Sequence, residues 1–288
     1  MESLYVDARK YLYPSWFIPG EKESGVAFMG DFQYNPMEPM DSDMVRVRKW
    51  FEWCAAHKFR ILLTGDIIDS CSPSSRQELN VAFVRAYGHS RDALDMGIKS
   101  ICDKFLEIAE PAIGFVDGGV YGHHGWIFKD GTSSHQYIMD RLGGRNLGDS
   151  AKVTYAFGDG VLARVWLHHG AGGAVTPGGI LAKGQRQAER RFADLYVYGH
   201  NHQNVAYKLP WMTDRVVGKK VVEIGSTRRI MAVGGSLRGY PVGRRNAFGE
   251  PEDNYVGKAM LPPVSLGWGV AFFRPMYKEK RLDANVSM

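Results

Sequence analysis

The chain has 288 residues, of which 44% are hydrophobic and 23% charged, a balance that is typical of a globular protein and excludes disorder over most of the length. The formal net charge is +5, and the three cysteines are scattered, so we exclude a disulfide framework and expect a reducing compartment. The N-terminus does not resemble a signal peptide, and no apolar run approaches the roughly 18 residues of a membrane span, so we expect a cytoplasmic protein without a membrane partner.

The first half of the chain predicts alternating strands and helices. Residues 25–29 and 60–64 are short apolar runs that each stop at Gly-Asp, and both predict buried strands. Residues 41–59 carry apolar side chains at helical spacing behind Asp and Ser capping candidates, so they predict a helix. Residues 112–116 predict a third strand, and the helical patterns before it predict a helical insertion at about 70–110.

The second half predicts further helices and then mostly strands. Residues 133–142 predict a helix, and residues 152–170 predict two strands around a Gly-Asp-Gly turn. A basic helix is expected at 180–192, and a β-rich part of several short strands from about 204, with the last one near 268–273. Strand and helix alternation followed by β-rich sequence predicts an α/β fold of two packed mixed β-sheets flanked by helices.

Positive charge is concentrated in the segment 181–245, which holds thirteen Lys and Arg against four Asp and Glu. This surplus exceeds the net charge of the whole chain, so the remainder is acidic. The segment suits a polyanionic partner such as nucleic acid, or it forms a solvated basic face, and both interpretations stay open. Arg186 and Arg190 on the basic helix and Arg228 after a later strand are the candidate contacts to phosphate groups.

Polar side chains that can bind a metal or carry a proton follow five of the predicted apolar runs. They are Asp31 and Gln33, then Asp66 and Asp69, then His123 and His124, then His168 and His169, and finally His200 and His202. Six of the nine histidines of the chain therefore lie in three clusters. Because ligands of α/β sheets collect at the carboxyl ends of strands, we expect these side chains to share one rim.

The chemistry of these donors predicts a metal centre. Oxygen and imidazole nitrogen without thiolate suit manganese, iron, zinc, cobalt or nickel, and they suit calcium poorly. More than four donors are too many for one tetrahedral ion, so two divalent ions about 3.5–4 Å apart that share a carboxylate are expected.

The motifs resemble those of the calcineurin-like metallophosphoesterase superfamily. They read DFQ, GDIID, GHHG, HHG and GHNH, in the order of the family and between residues 31 and 202, and the Gly-rich stretch after HHG resembles bacterial and phage members. The resemblance implies the four-layer metallophosphoesterase sandwich, formed as one domain over residues 1–288. It also implies hydrolysis of a phosphoric ester by a hydroxide that bridges two metal ions.

The resemblance assigns a role to each motif position. It implies a first ion held by Asp31, Gln33, Asp66 and His202, and a second ion held by Asp66, His123, His169 and His200. His124 matches the non-ligand histidine of the family, which stabilises the transition state or protonates the leaving oxygen. Asp69 would orient His124 or, as the alternative, cap a helix.

Two positions depart from the pattern of the family. Gln33 stands where histidine is usual, which favours a hard ion, so Mn²⁺ is the expected metal, with Zn²⁺, iron, Co²⁺ and Ni²⁺ as the other candidates. His123 stands where asparagine is usual, so the second site must be wider than in the family or its backbone must be shifted. Strand alternation points His168 away from His169, and we expect His168 to be no ligand.

Three functions fit these observations. The first is a dinuclear phosphodiesterase, with nuclease activity as the candidate suggested by the basic segment. The second is a nucleotide pyrophosphatase or a phosphomonoesterase, because the D-x-Q stretch at Asp31 resembles manganese-dependent ADP-ribose and CDP-alcohol pyrophosphatases. The third is a non-catalytic scaffold with the same fold, which the departures at Gln33 and His123 suggest and the retained His124 disfavours.

Overall fold

A computed structural model describes residues 11–12, 24–36, 41–69, 90–173, 176–236, 245, 248–251, 266–279 and 281–288. The described strands are, in chain order, β1 Tyr11–Leu12, β2 Ser24–Met29, β3 Arg60–Leu63, β4 Val116–Gly119, β5 Arg145–Asn146, β6 Ser150–Ala156, β7 Leu162–His168, β8 Leu195–Tyr198, β9 Val205–Val217, β10 Lys220–Ala232, β11 Gly269–Met276 and β12 Arg281–Ser287. The described α-helices are α1 Met44–Ala56, α2 Ser90–Ala109, α3 Ser134–Leu142 and α4 Pro177–Arg190.

These strands form two mixed sheets of six strands each. Sheet I has the order β12-β11-β2-β3-β4-β5, in which β2 to β5 are parallel while β11 and β12 add antiparallel pairs at one edge. Sheet II has the order β1-β6-β7-β8-β10-β9, in which β7, β8 and β10 are parallel. In sheet I the parallel strands run from β2 to the edge strand β5, and in sheet II β7, β8 and β10 are internal, so the carboxyl ends of the parallel strands meet at a common rim.

One hydrophobic core joins the two sheets. Phe28 of β2 and Leu62 of β3 belong to the same buried cluster as Val165 of β7 and Val197 of β8. Strands covered on both faces need apolar side chains on both, which is why these strands appear as continuous apolar runs in the sequence. The helices cover the outer faces, since α1 contacts α2 and α2 contacts α3 beside sheet I, while α4 contacts β8, β9 and β10 of sheet II. The predicted fold class, two packed mixed sheets flanked by helices, is confirmed.

Local capping explains where three of the helices begin. The side chain of Asp43 accepts a hydrogen bond from a backbone N–H in the first turn of α1, and Ser133 and Thr176 do the same for α3 and α4. Pro177 follows Thr176 as the first residue of α4, a position where no backbone donor is lost. The helices predicted at 41–59, 133–142 and 180–192 are confirmed with shifted ends.

The strand predicted at residues 112–116 is wrong. Pro111 ends α2 and opens a 3₁₀ turn at Glu110–Ala112, and the strand is formed instead by Val116–Gly119. This strand carries a buried carboxylate, Asp117, which accepts hydrogen bonds from Arg60 and from the hydroxyl of Tyr155. The polar Asp-Gly-Gly sequence is typical of a turn, so the tertiary partners of Asp117 override the local pattern.

The C-terminal part is β-rich from residue 205, as expected, but β9 and β10 are thirteen residues each rather than short, and β12 was not predicted. Helix α2 lies within the predicted helical insertion, whose residues 70–89 fall outside the described part of the chain. The insertion and the single domain over 1–288 therefore stay predictions.

Candidate metal centre

The predicted donors lie at one rim, just after the carboxyl ends of sheet strands. Asp31 and Gln33 follow β2, Asp66 follows β3, and His123 follows β4 of sheet I. His169 follows β7, and His200 and His202 follow β8 of sheet II. Backbone hydrogen bonds hold the loops together, because Asp31 N donates to Gly65 O over 2.9 Å and Gln33 N donates to Asp66 O over 2.9 Å.

The backbone at this rim adopts a conformation that ordinary residues avoid. Five candidate ligands have left-handed φ angles, namely Asp31 (49°), Gln33 (44°), Asp66 (47°), His200 (71°) and His202 (50°). Elsewhere in the described part of the chain only two other non-glycine residues do so. Such conformations cost about 1–3 kcal/mol each and persist where the surroundings impose them, most often at functional sites. The concentration of strain therefore marks the rim as the functional part of the molecule.

Four of these side chains form a compact cluster, which we call the histidine cluster: Asp66, His123, His169 and His200. One ligand atom from each lies within 4.8 Å of the others. His123 Nδ1 lies 3.1 Å from His200 Nδ1, and His169 Nε2 lies 3.1 Å from Asp66 Oδ2. The four residues are those that the resemblance assigns to the second ion, so the structure brings His123 to the same point as its expected partners.

His169 is oriented by a contact on the far side of its ring. Its Nδ1 lies 2.7 Å from the carbonyl oxygen of Thr64 and donates to it, which directs Nε2 towards Asp66. Nε2 is buried and makes no hydrogen bond of good geometry within the described residues. Burial lowers the pKa of His169, but the carboxylates of Asp66 and Asp31 outweigh it and raise this pKa to about 9. A cation that binds Nε2 must displace this proton, so its affinity rises with pH.

Asp66 is held between neighbours on both oxygens. The backbone N–H of His124 donates to Oδ1 over 2.8 Å, while Oδ2 faces His169. Burial opposes the charge of this carboxyl, but the contact and charge of His169, with the charge of His124, hold its pKa below the usual range. Gly122 makes the approach possible, because a Cβ at that position would stand 1.9 Å from Asp66 Oδ1.

The remaining ligands assigned to the first ion lie beside Asp66 as a second group. The fully buried carboxylate of Asp31 accepts the backbone N–H of His200 at 2.9 Å from both oxygens, and burial, with the nearby Asp66, raises its pKa to about 7. Gln33 Nε2 lies 3.4 Å from His202 Nε2, and a 180° rotation of the amide presents its oxygen instead. Burial lowers the pKa of His202 to about 4, so its ring is neutral and able to ligate.

The chemistry of the two groups fits divalent cations. Asp31 and Asp66 place two carboxyl groups in a buried region, where isolated charge is costly and a cation restores the balance. His202 Nδ1 is buried without a hydrogen-bond partner in the part of the chain that the structure describes, and His169 Nε2 faces the carboxylate of Asp66 over 3.1 Å. The donors are oxygen and nitrogen, which suits hard to intermediate ions. The residues fit metal binding, while the number and identity of the ions stay predictions.

His124 forms a dyad with Asp69 at the edge of the cluster. Its Nδ1 lies 2.8 Å from Asp69 Oδ1, and its Nε2 lies 3.9 Å from Asp66 Oδ2, so the ring points into the site. Burial lowers the pKa of His124, but the hydrogen bond to Asp69 and the charge of Asp66 outweigh it, so the net effect raises this pKa. The expected contact between Asp69 and His124 is present, while the role of His124 as proton donor stays a prediction.

The three arginines predicted to bind substrate lie in two different places. Arg186 and Arg190 line a cavity of about 380 Å³ beside the metal centre, together with His168. Arg228 lies elsewhere, where it stacks on the ring of Trp211 at 3.7 Å and donates to a carbonyl of α4. The surroundings of Arg228 give it a packing function, and its contact to substrate stays a prediction.

A second cavity, of about 300 Å³, lies on the other side of the centre and is lined by Asp66, His124, Tyr121 and Trp126 among others. His168 accepts a hydrogen bond from the backbone N–H of Gly170 on the side of the first cavity, outside the histidine cluster. The candidate centre is thus bordered by two cavities, one lined by basic side chains of α4 and the other by Asp66 and His124.

Sequence reasoning missed three residues that support the site. The carbonyl of Thr64 orients His169, and Ser236 donates its backbone N–H to Asp31 O and its hydroxyl to Phe32 O. Tyr198 ends β8 and lines the basic cavity. Thr64 directly precedes the Gly-Asp of GDIID, which is a local signal, whereas nothing in the sequence places Ser236 near Asp31.

No family model matches the sequence, and no curated protein matches it. Solved structures that match over most of the chain include a conserved uncharacterized protein, a predicted phosphoesterase, from Streptococcus pneumoniae TIGR4 (12% identity, 92% of this chain and 98% of that chain, TM-score 0.34). A double mutant of Vps29 from Entamoeba histolytica (13%, 91% and 98%, TM-score 0.33) and a hypothetical protein from Thermus thermophilus (11%, 91% and 98%, TM-score 0.37) also match. Overlaps at these TM-scores carry no argument about function. None of the described helices is both long and apolar enough to span a membrane.

Proposed function

We propose that the protein is a metal-dependent phosphoesterase that hydrolyses a phosphodiester with two divalent ions, Mn²⁺ being the favoured metal. One observation carries the proposal: Asp66, a member of the histidine cluster, also lies close enough to Asp31 and His202 for its charge to affect their pKa values. Asp66 Oδ2 lies 3.1 Å from His169 Nε2, and the buried charges of Asp66 and Asp31 affect each other. Two carboxylates with imidazole and amide donors are the ligand set that a dinuclear centre requires.

When bound, two divalent ions lower the pKa of a water molecule and neutralise the oxygens of a phosphate group. The residues of the chain have separate tasks around them. Asp31, Gln33, Asp66 and His202 would hold one ion, and Asp66 with His123, His169 and His200 would hold the other. His124 would donate the proton on Nε2 to the leaving oxygen, while Asp69 keeps the ring in place through Nδ1.

The basic cavity favours a polyanionic substrate, and nucleic acid is the candidate that fits it. Arg186 and Arg190 stand next to the metal centre instead of on a remote face, since they share the cavity with His168 and Gly170. Positive charge beside the centre raises the local concentration of an anionic substrate and orients it. This supports nuclease activity more than activity on an isolated monoester.

The test is a comparison of substrates with Mn²⁺ and with the metal removed by a chelator. Purified protein should cleave bis-p-nitrophenyl phosphate and single-stranded DNA or RNA, and it should cleave ADP-ribose and p-nitrophenyl phosphate more slowly. The variant His124→Ala should bind Mn²⁺ as the wild type does and lose most of the activity on unactivated diesters. Faster hydrolysis of ADP-ribose would assign a nucleotide pyrophosphatase instead, and inactivity on all four substrates with Mn²⁺ bound would assign a scaffold.

A further inference from the structure

The basic cavity has the features of a built anion site beside the metal centre. It measures about 380 Å³, and one wall is a single face of α4, where Lys183, Arg186 and Arg190 occur at positions i, i+3 and i+7. Side chains at this spacing lie along one stripe of a helix. Three cations therefore line the same opening.

These cations are held without being neutralised. Lys183 Nζ donates to the backbone carbonyls of Ala171 and Gly172, which fixes the ammonium group and leaves its charge uncompensated. Within the described residues, no carboxylate forms an ion pair with Lys183, Arg186 or Arg190. Uncompensated positive charge in a concave pocket attracts anions.

A second, independent observation comes from Tyr198 of β8, which also lines the cavity. Tyr198 is 8% exposed, and its hydroxyl group is buried without a hydrogen-bond partner in the described part of the chain. An unsatisfied buried hydroxyl costs about 1–3 kcal/mol, so a ligand oxygen that reaches this group through the cavity wall would relieve that cost. The donors around the cavity, a phenol, an ammonium group and two guanidinium groups, match the oxygens of a phosphate.

The cavity is contiguous with the metal centre. Gly170 and Asn201 line it, and they directly follow the candidate ligands His169 and His200. Gly170 is packed so closely that a Cβ there would lie 2.9 Å from His200 Cβ. The cavity and the candidate metal centre are therefore close enough for two groups of one substrate molecule to occupy them together.

We propose that the cavity lined by Lys183, Arg186, Arg190 and Tyr198 binds a second phosphate of the substrate, next to the phosphate that is cleaved. As an anion site the cavity stands on its own geometry, whereas its part in substrate selection rests on the proposed phosphoesterase activity. The second phosphate comes either from the neighbouring nucleotide of a strand or from the adjoining phosphate of a pyrophosphate, and the two sources are separated by the substrates below.

The first measurement needs no catalysis. Inorganic phosphate is titrated calorimetrically into metal-free protein, with Tyr198→Phe, Arg186→Ala and Arg190→Ala as the variants. Tyr207→Phe and Lys219→Ala are the matched controls, because Tyr207 is an exposed residue of β9 and Lys219 lies in the turn between β9 and β10. We expect each cavity variant to weaken binding by about tenfold and the controls to leave it unchanged. Binding that the cavity variants do not weaken overturns the proposal.

The second measurement compares kcat/KM with Mn²⁺ on matched substrates. The dinucleotide pTpT differs from TpT only by a 5′-phosphate, and ADP-ribose carries a pyrophosphate, which TpT lacks. We expect a preference for pTpT over TpT in the wild type and its loss, by about tenfold, in Tyr198→Phe. If the wild type prefers only ADP-ribose, and Tyr198→Phe removes that preference, the second phosphate comes from a pyrophosphate.

The two measurements fail in different ways. Phosphate binding that depends on Tyr198 and the arginines, without hydrolysis of any substrate, refutes the proposed function and keeps the anion site. If the cavity variants slow hydrolysis of TpT and pTpT to the same extent, the second-phosphate site is refuted and the proposed function is kept. The variant Tyr198→Phe retains the ring and removes only the hydroxyl, so a folding defect is not expected, and circular dichroism of each variant checks this.

Discussion

Replacing Asp69 by asparagine tests whether His124 is a proton donor. The variant keeps the size of the side chain and an oxygen that can accept from His124 Nδ1, which lies 2.8 Å from Asp69 Oδ1 in the structure. It removes only the negative charge. The protonated form of His124 is thereby destabilised, so the pKa of His124 falls towards its ordinary value.

The size of the effect follows from the exposure of the pair. A hydrogen bond to a charged group contributes about 1.5–3 kcal/mol when it is shielded from water. The side chains of His124 and Asp69 are 23% and 34% exposed, so solvent screening places the effect at the lower end. A loss of about 1.4 kcal/mol corresponds to about one pKa unit, or a tenfold change.

The assay is the pH dependence of kcat/KM on two diesters that differ in the leaving group. A general acid must be protonated, so activity on TpT falls as pH rises through the pKa of His124, and Asp69→Asn should move this alkaline limb about one pH unit lower. Bis-p-nitrophenyl phosphate releases a stable anion that needs little protonation, so its rate should change much less. Asp159→Asn, in the turn between β6 and β7, is the control. Equal losses on both diesters, or an unmoved limb, would refute the assignment of His124 as the acid.

Three further outcomes are expected. Gly122→Ala should abolish Mn²⁺ binding in calorimetry, because its Cβ would stand 1.9 Å from Asp66 Oδ1, whereas Gly125→Ala, whose Cβ would meet its nearest atom at 3.6 Å, should bind normally. His123→Ala should weaken binding of the second Mn²⁺ by about tenfold or more, because loss of one ligand weakens metal affinity by this amount, and His123→Asn should restore the affinity. Equal Mn²⁺ titrations of the two variants would mean that residue 123 is not a ligand. Burial lowers the pKa of His135 to about 4, so between pH 6.5 and pH 4 the unfolded chain binds this proton and the folded chain does not. The free energy of unfolding should therefore fall by about 3 kcal/mol as the pH is lowered to 4. In urea unfolding, His135→Gln should show a correspondingly smaller fall, and an identical pH dependence of the variant and the wild type would contradict the low pKa of His135.

The placement of the candidate ligands was predictable from the sequence because it depends on strand ends alone. Each apolar run that stops at a polar motif delivers that motif to the rim, and the parallel strands of both sheets deliver theirs to the same side. His123 lies beside His200 although the strand before it was expected at residues 112–116, because its motif follows β4, which pairs with β3 in the same sheet. The rule fails where a strand is built from polar residues, as at Asp117, whose ion pair with Arg60 is visible only in three dimensions.

The local geometry of the site could not be predicted in the same way. Nothing in the sequence distinguishes Gln33 as a residue with a φ of 44°, because glutamine has no special tolerance for the left-handed region. Tyr198 belongs to an apolar strand and its pattern indicates a core residue, yet its hydroxyl has no hydrogen-bond partner among the described residues. Both features depend on which segments meet after folding, and both lie at the proposed catalytic and anion sites.

Strain and buried charge together couple the stability of the fold to cation binding. Without a cation, the candidate site holds five left-handed positions and two buried carboxyl groups, and within the described residues His202 Nδ1 is buried without a hydrogen-bond partner. The parallel strands beneath the rim hold the ligand positions in these strained conformations, whereas a loop without such support would relax and lose the strain. A bound ion removes the unfavourable electrostatic part, and at a concentration one hundred times its Kd it stabilises the folded chain by about 2.7 kcal/mol. The ligands are therefore preorganised, and the energy that a flexible site would spend on ordering them is already contained in the fold.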